Sequence, residues 1–151
     1  EARSRVVEAS GFRRVYLPDT NVLSALRRPE RAEPPLLKFA AGSISEGAFI
    51  SFVSVMETEH GARLIAKRDG RQSAMLIEWL EAKLLREYSG RILEVTLAVA
   101  RTCAALHVPN PQGYRDAFIA ATALVHGLTL VTSNTKDFAS KGVKLLNPWE
   151  K

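Results

Sequence analysis

Three carboxylates stand where short apolar runs meet helical patterns. Asp19 follows the run Val15 to Pro18, Glu57 comes shortly after Ala48 to Phe52, and Asp116 opens the pattern that leads into Leu128 to Thr132. Small polar residues accompany them: Thr20 and Asn21 after the first run, Ser54 after the second, and Ser133, Asn134 and then Asp137 after the last. In an open parallel sheet, binding sites form beyond the carboxyl ends of the strands, so these groups are expected at one end of one sheet. Gathered carboxylates repel, and they relieve the repulsion by raising their pKa values or by holding a divalent cation. Hard oxygen donors without a His or Cys cluster favour Mg²⁺ or Mn²⁺. Each acid also has an ordinary structural reading. Asp19 suits a helix N-cap, Ser54-Val55-Met56-Glu57 fits a capping box, and Asp116 places negative charge on a helix N-terminus.

The elements that must position these groups alternate between short apolar runs and longer helical patterns, which predicts an α/β fold. Strands are expected at Val15 to Pro18, Ala48 to Phe52, Ile92 to Val95, Leu128 to Thr132 and Val143 to Leu146, five in all. Helices are expected at Val22 to Arg28, ahead of Pro29, and at Leu36 to Ala41, closed by Gly42. Val55 to Arg68 and Gln72 to Tyr88 read as a helical hairpin, the second member carrying Leu76, Ile77, Leu80, Leu84 and Leu85 on one face. Thr96 caps a helix through His107, and the segment from Val108 to Gly113 reads as a loop. The helix body Ala117 to Val125 has no polar face, so it must pack between other elements, and Gly127 ends it. Leu128 to Thr132 lacks alternation, as expected of a strand covered on both faces. Cys103, in line with Val99 and Leu106, reads as a buried thiol.

The chain has 151 residues, 46% hydrophobic and 25% charged, with a formal net charge of +5. That composition excludes disorder, collagen and coiled coil for the chain as a whole and favours one globular domain. The apolar stretch Ala117 to Thr132 is too short for a membrane span. One cysteine and no leader pattern give the cytoplasm as the expected location. Residues 1–14 show neither strand alternation nor an apolar stripe and read as an extension, a tag or a misplaced start, leaving a single domain at 15–151. Setting Asp19, Glu57 and Asp116 aside raises the formal charge to +8, which suits a polyanionic partner and equally a solvated basic surface.

The chain resembles the PIN-domain family, in particular its VapC and FitB-like toxins. The likeness rests on Tyr16-Leu-Pro-Asp-Thr-Asn-Val-Leu-Ser24, Ser51-Phe-Val-Ser-Val-Met-Glu57 with Gly61, Asp116-Ala-Phe-Ile-Ala-Ala-Thr-Ala123, Leu130-Val-Thr-Ser-Asn-Thr-Lys-Asp-Phe138 and Asn147-Pro-Trp149. It implies a three-layer α/β/α domain with a central, mainly parallel sheet of about five short strands. It further implies a Mg²⁺- or Mn²⁺-dependent endoribonuclease, a toxin of a type II toxin–antitoxin system, acting on RNA, silenced by a cognate antitoxin and working as a homodimer. Asp19, Glu57 and Asp116 occupy the family's metal-binding acidic positions. The fourth falls on Asn134, a departure that weakens a second metal and leaves Asp137 either to supply the missing charge or to cap or brace the segment before Phe138. Asn21 and Thr132 match positions that support the first carboxylate, while Arg115 and Lys136 are the basic residues nearest the site for an RNA backbone. His60 reads as a surface or packing residue. His107 and His126 fall at helix ends, where a dipole interaction suffices. Two competing readings remain: a degenerate PIN domain serving as a binding module, and a Mg²⁺-dependent phosphatase with Asp19 as nucleophile, for which the customary second Asp is Asn21.

Overall fold

Short apolar runs rich in β-branched and large side chains form the strands, and the longer amphipathic runs wrap them on both sides. The computed structural model describes residues 6–7, 13–45 and 47–150. Val6–Val7 (β1) pairs antiparallel with Arg13–Arg14 (β2), a pairing that the sequence pattern does not announce. The remaining residues of the segment 1–14, read from the sequence as an extension, a tag or a misplaced start, lie outside the described residues. Tyr16–Pro18 (β3), Thr129–Val131 (β6) and Leu145–Leu146 (β7) form a parallel sheet in the order β3-β6-β7. Ile50–Ser51 (β4) and Ile92–Leu93 (β5) form a second parallel pair. The Phe49 N–H donates to the Tyr16 carbonyl at 3.0 Å, which sets β4 beside β3.

Among the described residues the α-helices are Thr20–Leu26 (α1), Pro34–Phe39 (α2), Phe52–Ala66 (α3), Gly70–Trp79 (α4), Leu85–Glu87 (α5), Leu97–Leu106 (α6), Tyr114–His126 (α7) and the short Thr135–Phe138 (α8) after β6; α4 packs on α3 and α6 on α7. Alternation along the strands assigns the two faces. Tyr16 and Val131 point to a core with Val22, Leu23, Leu36, Leu80 and Leu84. Leu17 and Leu130 point to one with Ile119, Ala120, Ala123 and Phe138. On its far side α7 presents Ala117 and Ala121 to Val99 and Cys103 of α6. The helix without a polar face is thus sandwiched as its sequence requires, and Cys103 is buried. Small residues on α7 allow this close double packing. Gly127 ends the helix at φ +66°, a conformation that favours glycine.

Several boundaries move: α1 starts at Thr20 and ends at Leu26, β5 stops at Leu93, α7 starts at Tyr114 and β7 starts at Leu145. Gly42 does not close a helix; the chain continues through a wide π turn, Ala40–Ile44, that carries Ile44 into the core. The hairpin's second arm likewise widens at Leu80–Leu84, where Leu80 and Leu84 are buried. The second strand is shorter than Ala48 to Phe52, because Phe52 already begins α3. The capping residue of α3 is therefore Ser51, whose hydroxyl accepts from the Val53 N–H at 3.1 Å. Ser51→Ala is expected to cost about 1 kcal/mol of stability, read as a lower urea midpoint at unchanged slope. Among the described residues no helix is long and apolar enough to cross a membrane.

Candidate active site

The first carboxylate is fixed by the strand ladder. Pro18 lies opposite Val131, and the Asp19 N–H extends the ladder by donating to the Val131 carbonyl at 2.8 Å. The chain then turns into α1, leaving Asp19 at the carboxyl end of the central strand pair and only 7% exposed. Its Oδ1 accepts from the Thr20 N–H at 2.7 Å and its Oδ2 from the Thr132 hydroxyl at 2.9 Å. Thr132 Oγ1 also accepts from Asn21 Nδ2 at 3.3 Å and from the Asn134 N–H at 3.0 Å. With its acceptor capacity used, its single proton goes to Asp19. Asn21 Nδ2 donates further to Ser133 Oγ at 2.8 Å, so the amide is turned with Oδ1 inward. That oxygen is buried without a hydrogen-bond partner.

The second carboxylate comes from α3. Ser54 and Glu57, three residues apart, share the helix face that meets α1. Thr20 Oγ1 donates to Glu57 Oε1 at 3.1 Å and lies 3.0 Å from Ser54 Oγ. Because the Thr20 proton goes to the carboxylate, the Ser54 hydroxyl is the donor to Thr20. Glu57 Oε2 sits 3.7 Å from Arg115 Nη1, a solvent-facing pair worth under about 1 kcal/mol. Asp116 lies in the first turn of α7, whose N-cap, Gly113, offers no side chain. The positive end of the helix dipole faces it.

All three acids hold their protons more tightly than free carboxyls do. Burial is the leading cause for Asp19, only partly offset by the bonds from Thr132 and Thr20, and the Asp116 charge adds to it. Burial also leads for Glu57, where Thr20 and Arg115 pull downward while Asp19 and Asp116 push upward. For Asp116 burial and the neighbouring Asp137 push upward against Lys141. An acid whose folded pKa exceeds its unfolded value binds more protons when folded. Stability is then lost as pH rises from the ordinary carboxylate range, about 4, through the raised folded values. In chelator, the melting temperature of Asp116→Asn minus that of wild type is expected to grow across this interval. A flat difference would show that Asp116 carries no excess repulsion.

The structure thus brings Asp19, Glu57 and Asp116 into electrostatic contact at one sheet end, with Asn21 and Thr132 beneath Asp19. The capping-box reading of Glu57 is corrected: Ser51 caps α3, and Ser54 lies inside the helix. The capping reading of Asp19 holds in part, since α1 begins directly after it. Asn134 takes the N-cap position of α8 without a side-chain cap bond, and Asp137 and Lys136 lie exposed in that helix. Arg115 faces Glu57 rather than open solvent alone. His60 and His126 are exposed, and His107 Nδ1 accepts from the Gln112 N–H at 2.9 Å. Sequence reasoning missed Thr20 as a donor to Glu57 and missed Lys141 altogether. The spacing of Ser54 and Glu57 on one helix face was the available signal for the first; nothing in the pattern signalled the second.

The PIN-domain sequence profile matches residues 16–144. The chain belongs to the PIN-domain family. Among relatives of this PIN domain, VapC ribonuclease Y4jK of Sinorhizobium fredii is 32% identical over 139 residues, spanning 87% of this chain and 96% of the relative. Toxin FitB of Neisseria gonorrhoeae is 34% identical over 141 residues, spanning 89% and 99%. The crystal structure of FitAcB from the same organism superposes with a TM-score of 0.80 at 31% identity, covering 91% of this chain and 100% of that one. The expected three-layer α/β architecture of the PIN domain is therefore the observed one.

As placed, no group of three Asp, Glu, His or Cys side chains among the described residues could hold a metal ion. One Glu57 oxygen accepts from Thr20 and the other faces Arg115. The donor chemistry of this PIN domain nevertheless fits a hard divalent cation. The Asp116 charge raises the pKa of Asp19 and Glu57, a repulsion that a cation would remove, and Asn21, which braces Thr132 under Asp19, carries a buried oxygen with no hydrogen-bond partner.

Proposed function

We propose that this PIN domain is a divalent-metal-dependent endoribonuclease and the toxin of a toxin–antitoxin pair. The observation that carries the reading is the placing of Asp19, Glu57 and Asp116 at the carboxyl end of the parallel sheet, with Asp19 buried and braced by Thr132 and Asn21 and the Asp116 charge pushing up the pKa of the other two acids. The names of its relatives, a ribonuclease and a toxin, support the substrate class and the setting. Asp19 and Asp116 would hold Mg²⁺ or Mn²⁺, with Glu57 joining after it leaves Thr20, and Asp137 standing in for the acid absent at Asn134. Such a cation neutralises phosphodiester charge and acidifies a bound water.

The chain's own groups do the rest. Thr20 N–H and the Thr132 hydroxyl hold Asp19 in one orientation, and Asn21 and the Asn134 N–H hold Thr132. The Thr20 hydroxyl holds Glu57 in the metal-free protein; once freed, the Glu57 carboxylate would hold the ion or orient and deprotonate the attacking water. Arg115, once Glu57 turns away, offers a planar donor pair to a phosphate, and Lys136 adds positive charge along the RNA backbone. In-line attack forms the new P–O bond as the bond to the 3′ oxygen breaks, leaving a 3′-hydroxyl and a 5′-phosphate. A phosphatase using Asp19 as nucleophile fits poorly, because Asn21 stands where its customary second Asp would be. The same proposal has the protein working in the cytoplasm as a homodimer and silenced by a cognate antitoxin.

The test is incubation of antitoxin-free protein with a panel of structured RNAs in Mg²⁺, Mn²⁺ or chelator. Cleavage only with metal, leaving 5′-phosphate ends, is expected. Cleavage persisting in chelator, or products ending in 2′,3′-cyclic phosphate, would overturn the mechanism.

A further inference from the structure

A lysine is seldom buried unless it is paired. Lys141 ends the 3-10 turn Ala139–Lys141 that follows α8 and is 7% exposed. Its Nζ donates to Gln112 Oε1 at 3.0 Å and to the Asp137 carbonyl at 2.6 Å, and it lies 5.8 Å from the centre of the Phe138 ring. It has no carboxylate within ion-pair distance among the described residues. Gln112 belongs to the loop that leads into α7 and Asp116, while Asp137 lies on α8. One ammonium therefore ties together the two segments that carry these acids. Its charge is also felt where theirs conflict: Asp137 pushes the Asp116 pKa up and Lys141 pulls it down. The catalytic scheme above makes no use of this residue, and simple packing would be served by Leu or Met without desolvating a charge.

We propose that Lys141 is the internal counter-cation of the acidic site, a positioning residue that joins the Asp116 and Asp137 segments and balances their like charge while no divalent ion is bound. The proposal rests on these acids forming the working site. Two roles are combined in it, and they separate experimentally. A hydrogen-bonded tie between Gln112 and the Asp137 carbonyl works equally well whatever residue stands at 116. A counter-cation works only while Asp116 is charged.

The experiment compares Lys141→Met in the wild-type and Asp116→Asn backgrounds by melting in chelator at fixed ionic strength. In the wild-type background the melting temperature should fall by about 3 to 8 °C. In the Asp116→Asn background the fall should be less than half as large, and Lys141→Arg, which keeps the charge, should restore most of the loss. Equal falls in the two backgrounds, or no fall in either, would overturn the proposal. Should Lys141→Met fail to fold, Lys141→Gln, which keeps a donor but no charge, replaces it in the same comparison. A parallel set of melts in Mn²⁺ keeps the two readings apart. A wild-type protein indifferent to Mn²⁺ would count against the metal site, while the coupling measured in chelator still decides the role of Lys141.

Discussion

Asp116→Asn is expected to lower RNA cleavage by about a thousandfold or more while leaving the metal-free protein as stable as wild type or slightly more so. A bound cation that supplies about 4 kcal/mol of transition-state stabilisation accounts for three decades of rate, and loss of one of its charged ligands forfeits most of that. The stability side follows from the raised Asp116 pKa, since burial and Asp137 both disfavour its charge. Neutral Asn removes the repulsion and keeps the shape. Removing a favourable charge from the α7 dipole costs about 0.3 to 1 kcal/mol and takes away the counter-charge of Lys141, which together limit any gain. RNA assays in Mn²⁺ beside melting curves in chelator check both halves. A variant that cleaves normally but melts earlier would reduce Asp116 to a helix-terminus charge.

Asp19→Asn is expected to lose cleavage as completely, and this variant should also lose stability. Asp19 accepts from two donors, the Thr20 N–H and the Thr132 hydroxyl. An amide has one acceptor oxygen, so either orientation sets its NH₂ against a donor. Thr132 cannot turn its proton elsewhere without displacing Asn21 or the Asn134 N–H. The cost is about 1 to 3 kcal/mol, offset in part by removing a buried charge. Urea denaturation of Asp19→Asn and Asp116→Asn side by side should separate them, with only the first destabilised. The double variant should cleave no worse than either single one, because both remove the same functional unit.

The legibility of the sequence varied by element for physical reasons. α7 could be read because a helix apolar on all sides has only one solution, burial between two layers, and because Gly127 supplies the left-handed residue its end requires. The carboxyl-end location of Asp19 and Asp116 followed from the order of runs, since parallel connections leave every strand end on the same side. The start of α3 misled because Ser51 and Ser54 are equivalent as caps in composition. Only the burial of Val53 and Ser54 against the sheet decides for Ser51. The wide turns at Ala40–Ile44 and Leu80–Leu84 were invisible because tertiary burial of Ile44, Leu80 and Leu84 selects them, not local propensity. Lys141 was invisible for the same reason. Its partners, Gln112 and the Asp137 carbonyl, are assembled by the fold from separate segments.

The central claim is that Asp19, Glu57 and Asp116 form one cation site once Glu57 turns from Thr20 and Arg115. A Mn²⁺ titration followed by the electron paramagnetic resonance of the free ion tests it most directly, since it needs neither RNA nor an antitoxin. Wild type should take up at least one Mn²⁺ per chain, Asp116→Asn should lose that uptake, and Mg²⁺ in excess should displace it. At about 100 times the dissociation constant, the same ion should stabilise wild type by roughly 2.7 kcal/mol, a rise of about 5 to 10 °C in melting temperature. Wild type that binds no Mn²⁺ at millimolar concentration, or Asp116→Asn that binds it equally well, would contradict the account.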